Sequence, residues 1–274
     1  MSQETIWDRL QRIDRRVIYW LLFILLILPF LRPLGLPISI SPQSRSLLEG
    51  LRKLKEGDVV VINISSGVSA WPECLPSLVA VSKVLIQQKA KIIYWTSFVD
   101  GHMTFEKIVE KVPGFKGLTY GVDYVHLGFY TGAEPTVAQL ATNIRAIFTT
   151  DYKGTPIDQL PIMKGVNSAK DVKMVISSDT GDYGDYYIRQ WRIPYGVPFA
   201  EIGIAMLFSN YQPYWPEIVF GMTGGAKGGA ELEKLIGEPG DATVTMDAIN
   251  TSHLLVVVAV ILANLGYAAT RRRR

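Results

Sequence analysis

The chain holds 274 residues, of which 48% are apolar and 19% charged, with a net charge of +3 and a single cysteine. That length suits one or two domains, and one cysteine excludes both an intramolecular disulfide and a thiolate metal cluster. Nine of the 28 cations but only three of the 25 anions lie at the two ends, which leaves 19 cations against 22 anions in the middle of the chain and no basic excess for nucleic-acid phosphates.

At the start, Ile6, Trp7, Leu10 and Ile13 recur at helical spacing opposite Asp8, Arg9, Arg12 and Arg16. Residues 1–16 therefore read as a cytoplasmic amphipathic segment, suited to lie on a leaflet of anionic headgroups. Val17 to Leu31 carries no charge, and continuing through Arg32 to Ile38 brings the stretch near the ~20 residues a bilayer core requires. No small-residue cleavage site follows it, so residues 17–38 are expected to form an uncleaved membrane span. A second span is expected over residues 251–270, because Leu254 to Thr270 is uncharged and stops at Arg271, the first of four arginines that form a basic tail over 271–274. Cations before the first span and after the second place both termini in the cytoplasm and the intervening residues 39–250 on the other side. The expected localisation is an integral membrane protein.

Within 39–250 the elements alternate. Leu47, Leu48, Leu51 and Leu54 mark a short amphipathic helix that ends at Gly57. Strands follow over residues 58–64, 91–97 and 124–130, separated by helices over 75–88 and 104–111 and followed by one over 134–148. Residues 151–170 are rich in Pro, Gly and Asp and read as a long connection. Further on come a strand over 173–177, a Tyr-rich helix over 182–191 and a strand over 198–205. Tyr211, Tyr214 and Trp215 then cluster with Pro213 and Pro216, a composition that suits either a headgroup layer or a core. Strands alternating with helices build a parallel sheet through right-handed crossovers, and strands apolar throughout require cover on both faces. The fold class is thus α/β: a Rossmann-like, mostly parallel sheet with helices on both faces, flanked by one transmembrane helix at each end.

In such a sheet, ligands bind at the loops that follow the carboxyl ends of the strands. Those loops carry Ser65, Ser66 and Gly67, then Asp100 and His102, then Thr131 and Gly132, then Ser178 and Asp179. Small hydroxyl residues and glycines there can bring backbone N–H groups to a small polar or anionic ligand, and they are also ordinary turn formers and caps. A catalytic version would use Ser66, or Ser65 beside it, as nucleophile, His102 as base and Asp179 or Asp100 as its orienting partner. The closing glycine of a nucleophile elbow is absent. Asp179, Asp182 and Asp185 lack the spacing of a calcium loop, and neither a dinucleotide fingerprint nor a phosphate-binding loop is present, so no metal and no cofactor are expected. In the glycine-rich stretch, Gly221, Gly225 and Gly229 recur at intervals of four. On a helix they would form a smooth groove for subunit contact in a homo-oligomer.

These readings converge on a membrane-anchored α/β module acting as an oligomeric scaffold or ligand-binding component without catalysis. The alternative is a membrane-anchored hydrolase or transferase that uses the strand-end loops. The expected partners are the lipid bilayer, further copies of the chain and a small polar or anionic ligand, with no nucleic acid.

Overall fold

The computed structural model describes residues 13–271. The chain divides into two compact units, Ile38–Ala242 and a second made of Met1–Pro37 with Thr243–Arg274.

The larger unit opens with helix Pro42–Arg52 (α2 in chain order, after a terminal helix α1 described below). Ser41 caps it, accepting the Ser44 N–H at 3.2 Å, and Pro42 fits the first turn because the N–H it lacks has no helical partner there. Six strands follow: β1 Val59–Ser65, β2 Lys91–Thr96, β3 Tyr124–Phe129, β4 Met174–Asp179, β5 Phe199–Gly203 and β6 Val219–Gly224. All pairings are parallel, in the order β3-β2-β1-β4-β5-β6. The order reverses direction between β1 and β4, which makes that boundary the topological switch point of a doubly wound sheet. The connecting helices are α3 Trp71–Gln87, α4 Gly101–Lys111, α5 Ala133–Thr142, α6 Tyr183–Tyr187, α7 Ala205–Tyr211 and α8 Gly225–Ile236.

Two cores sandwich the sheet. Val60, Ile62 and Ile64 of β1 face one way, onto leucines and valines of α2, α3 and α8, while Val61, Trp95, Val125 and Val175 face the other way, onto α5, α6 and α7. The long connection expected over 151–170 is packed against the domain. Ile157, Leu160, Ile162, Met163, Val166 and Ala169 are buried along short 3-10 turns and tile the second face where a crossover helix would otherwise lie. The Tyr-rich helix is also modified: α6 ends at Tyr187 and passes into a π-turn, Ile188–Arg192.

Strand β6 and helix α7 were not anticipated, and β6 revises the glycine stripe. Gly221 lies inside the strand, where an added Cβ would sit 2.4 Å from the Cα of Leu47. Gly225 begins α8 at φ +60°, and Gly229 faces Pro76 and Ala242 within the same unit. No single helix carries all three glycines, and the close approaches they permit are made by this chain's own α2, α3 and neighbouring residues.

In the smaller unit, α1 spans Arg15–Leu31. The helix expected over 17–38 stops at Leu31, because Arg32 already has extended backbone and Pro33, Gly35 and Pro37 follow in a non-helical stretch, and it is not among the described helices long and apolar enough to cross a membrane. The amphipathic reading of residues 1–16 falls almost wholly outside the described residues, as do Arg272 to Arg274 of the basic tail. A last helix, α9, runs from Asp241 to Arg271 and so begins well before residue 251. Its stretch Asp241–Ala269 is the one helix among the described residues long and apolar enough to cross a membrane, and only 11% of its apolar window is buried. The helices α1 and α9 run antiparallel. The Thr251 hydroxyl meets the Leu25 carbonyl at 3.1 Å, and the N–H groups of Leu34, Gly35 and Leu36 all donate to the Asp247 carboxylate at 2.8–2.9 Å.

Candidate functional site at the switch point

At the carboxyl ends of β1 and β4 the sequence places serines in pairs. Ser65 and Ser97 share a hydrogen bond at 2.7 Å, Ser66 and Ser178 share another at 3.0 Å, and the Thr180 hydroxyl donates to the Ser65 carbonyl at 3.3 Å. Ser65, Ser66 and Ser178 are buried and form a floor. Around it the loops after β1, β2 and β4 expose Ser69, Phe98, Val99, Gly181 and Asp182. A polar floor beneath a partly apolar rim is the usual make-up of a small-molecule site.

The backbone N–H groups that would greet an anion here are already engaged. The Val68 N–H, where the chain turns towards α3, donates to the Asp100 carboxylate at 2.9 Å. Gly67 lets the two approach closely, because a Cβ there would lie 3.0 Å from Asp100 Oδ1 and the carboxylate would have to shift by a few tenths of an ångström. Glu73 in turn accepts the Ala205 N–H at the start of α7, at 2.7 Å. Asp179 accepts the N–H groups of Gly181 and Gly184 at 2.8 and 3.0 Å. Burial pushes the Asp179 carboxyl up in pKa, and those N–H groups oppose the rise. Three helix starts that could have held a phosphate thus hold carboxylates of the chain itself, and a bound anion would meet like charge.

Of the residues expected to act together, Ser65, Ser66, Gly67, Asp100, Ser178 and Asp179 do converge. Thr131 and Gly132 do not, because they follow β3, two strands away from β1 and about 10 Å off at ordinary strand spacing. They are exposed, and Thr136 donates to the Thr131 carbonyl at 3.2 Å. Next to them Glu134 forms a two-pronged pair with Arg189 at 2.8 and 2.9 Å, which with Gln190 holds its carboxyl down at a pKa of about 2. His102 bonds to the Val99 carbonyl at 3.1 Å and stacks on Tyr152, and among the described residues no hydrogen bond joins it to a serine. Cys74 is buried near Ser178, and burial pushes its thiol up to about 12, so it stays protonated and inert.

The residues that sequence reasoning passed over lie one step below the floor. Asn63, Ser177 and Glu201 sit in register on adjacent strands, side by side on one face, and each is fully buried or within 1% of it. Asn63 Oδ1 and Nδ2, Ser177 Oγ and both Glu201 carboxylate oxygens have no hydrogen-bond partner within the protein. A readable signal existed: Asn63 and Glu201 interrupt apolar runs, Ser177 opens the polar end of β4, and each stands two residues before its strand's end.

His126, expected inside a strand, lies buried in β3 between Phe105 and Tyr152, with ring centroids 4.7 and 5.1 Å away. Burial lowers its pKa to about 4. A folded-state value below the ordinary 6.5 means that the unfolded chain takes up a proton first as the pH falls. Stability is therefore expected to drop by up to about 3 kcal/mol between roughly pH 6.5 and 4 and to level off below that. Urea midpoints across this range should show the drop in the wild type and a flatter curve for His126→Phe; parallel curves would refute the assignment.

No protein-family model, curated protein or solved structure matches this chain.

Proposed function

We propose that the chain is a membrane-anchored α/β module that binds a small polar ligand, neutral or cationic, at the switch point of its sheet and does not transform it. The observation that carries this reading is the pair of serine couples, Ser65 with Ser97 and Ser66 with Ser178, set beneath an exposed rim where the strand order reverses. Hydroxyl groups both donate and accept, so such a floor can match an alcohol, amide or amine group. The ring of engaged carboxylates at Asp100, Glu73 and Asp179 disfavours phosphates and other anions, which narrows the anionic option open at the sequence level. Catalysis is disfavoured because the Ser66 hydroxyl bonds to another hydroxyl rather than to a base. Self-association drew its support from the glycine stripe, and with those glycines facing inward the ligand-binding half of the reading is the better supported one.

Anchoring rests on the apolar helices. In α9, Leu254, Val256, Val257, Val260, Ile261 and Leu265 are about half exposed or more, a pattern suited to lipid and costly in water. In α1, Tyr19, Trp20, Phe23, Ile24, Phe30 and Leu31 are more than half exposed as well. The uncharged run of α1 spans only about 22 Å as a helix, so as a second span it would need Arg15, Arg16 and Arg32 to extend to the headgroups. Because the two helices are antiparallel, Arg15 and Arg16 lie at the same end as Arg271, consistent with both termini in the cytoplasm and the larger unit on the opposite side.

One experiment tests both parts. Vesicles carrying the full chain are expected to retain it through an alkaline carbonate wash. The same vesicles, screened by saturation-transfer NMR against neutral polyols, amides and small amines, should yield binders whose affinity falls about 5- to 10-fold in Ser66→Ala and Ser178→Ala, as the loss of one hydrogen bond predicts. Release by carbonate would remove the anchor. Affinities untouched by both substitutions would remove the site, and covalent labelling of Ser66 by a fluorophosphonate would favour the hydrolase instead.

A further inference from the structure

The buried row below the serine floor calls for its own explanation, because a polar group sealed from water without a partner costs about 1–3 kcal/mol, more if charged. Asn63 from β1, Ser177 from β4 and Glu201 from β5 point to the same side of the sheet, and together they offer four acceptor oxygens and few donors. The sign of the local charge is negative. Every charged group that acts on Glu201, Asp179 from β4 and Asp185 from α6, is another carboxylate. The remaining titratable groups around the site are Tyr183 and Tyr187 on α6 and Tyr211 on α7, with Cys74 reached from the opposite face. Among these neighbours no lysine, arginine or histidine supplies a counter-charge. Above the carboxylate lies Gly184, where an added Cβ would come within 2.7 Å of Glu201 Oε2 and 2.4 Å of the Tyr211 hydroxyl. A glycine at that point lets the α6 backbone close directly over the carboxylate and the Tyr211 hydroxyl, so the row is covered without a side chain.

We propose that Asn63, Ser177 and Glu201 form a closed site for one compact monovalent cation, an ammonium group or an alkali ion, roofed by Gly184 and Tyr211. The charge of the guest follows from the carboxylates. Asp179 is committed to the N–H groups of Gly181 and Gly184, so Glu201 is the one acidic group in the row with free oxygens, and one negative charge matches one positive. A divalent ion takes six or more oxygens and usually several carboxylates, which this row lacks. The size follows from the sealing, and the rings of Tyr187 and Tyr211 nearby are compatible with a cation. Burial first and then Asp179 and Asp185 push the Glu201 pKa well up, so its charged form is disfavoured until a cation stands beside it. Binding of the cation then releases one proton to solvent and leaves the carboxylate paired. Affinity should therefore rise with pH for as long as Glu201 is protonated in the free protein. The roof is built from two short helices, the five-residue α6 and the seven-residue α7, which local opening can part to admit a small ion.

The test uses the full chain in detergent, with thermal unfolding followed in ammonium, methylammonium, sodium and potassium chlorides against tetramethylammonium chloride at equal ionic strength. The proposal expects the midpoint to rise by about 5 °C or more at saturation in at least one of the small cations, more at pH 9 than at pH 6, with no such rise in Glu201→Gln. Which salts act separates an organic ammonium from an alkali ion. Equal midpoints in all salts would overturn the proposal and leave the row to internal water, and a rise that survives Glu201→Gln would place the cation elsewhere. Should Glu201→Gln lose its cooperative transition, Ser177→Ala is read in its place, with about 10-fold weaker binding expected and unchanged binding counting against the site. Ser66→Ala should keep the full cation response, so failure of the rim reading leaves this proposal standing and the reverse holds as well.

Discussion

Replacing Gly221 by alanine will destabilise the larger unit by about 3 kcal/mol, lowering its thermal midpoint by roughly 6–12 °C. The added methyl would fall 2.4 Å from the Cα and 2.5 Å from the N of Leu47, and backbone atoms of a packed helix cannot step aside as the tip of a side chain can. Helix α2 lies along β6 here, with the Ser46 hydroxyl donating to the Phe220 carbonyl, so the displacement would move the edge strand or lift α2 from the sheet. Leu47, Leu48 and Leu51, all buried through that helix, would lose part of their cover together. Gly117 supplies the comparison, since a Cβ there meets nothing within 4 Å. Gly117→Ala should shift the midpoint by no more than a degree or two. Equal midpoints for the two variants, read by tryptophan fluorescence during unfolding, would mean that α2 does not pack on β6 as described.

The same glycine shows where the sequence stopped being readable. The first five strands are legible because each is a short apolar run bounded by turn residues, and their order alone points to a parallel sheet with both faces covered. Strand β6 is not, because Gly221 and Gly224 interrupt it, and their reason for being glycine lies in tertiary contacts: Gly221 with Leu47 of α2, some 170 residues earlier in the chain, and Gly224 with Phe208 of α7. Spacing by four then imitates a helix surface. The loops of the candidate site were legible for the opposite reason: the rule that ligands gather at strand carboxyl ends needs only the strands. It named Ser66, Ser178 and Asp179 together with Thr131 and Gly132, and could not separate them, since strand order is a property of the assembled sheet. Asn63 and Glu201 left a trace in the sequence as polar breaks in apolar runs, and Ser177 as the start of the polar end of β4. Only the register shows that the three stand side by side.

The acidic residues of this chain share a habit that leads to the second large effect. Asp100, Glu73, Asp179 and Glu233 each accept backbone N–H groups from a turn or helix start, and Asp247 does so most fully. It is completely buried on α9 and accepts three consecutive N–H groups from Leu34, Gly35 and Leu36, the extended stretch that follows α1. Hydrogen bonds to a charged acceptor contribute about 1.5–3 kcal/mol each, so Asp247→Ala should weaken this junction by about 3 kcal/mol or more, and Asp247→Asn by less because one oxygen acceptor remains. Hydrogen exchange of the peptide covering residues 33–37, followed by mass spectrometry in detergent, reads the loss directly: about a hundredfold faster exchange in the alanine variant, and an intermediate rate in the asparagine variant. Unchanged exchange in both would show that these N–H groups are held by something other than Asp247. The position of this carboxylate also bears on the anchor. A charge deep in hydrocarbon is costly, and three N–H dipoles offset part of that cost only where the group is packed inside protein. The continuously apolar run of α9 begins at Leu254, about two helical turns beyond Asp247. With its charge wrapped by the residues after α1, Asp247 can stand at the edge of the apolar layer and fix where α1 ends relative to α9.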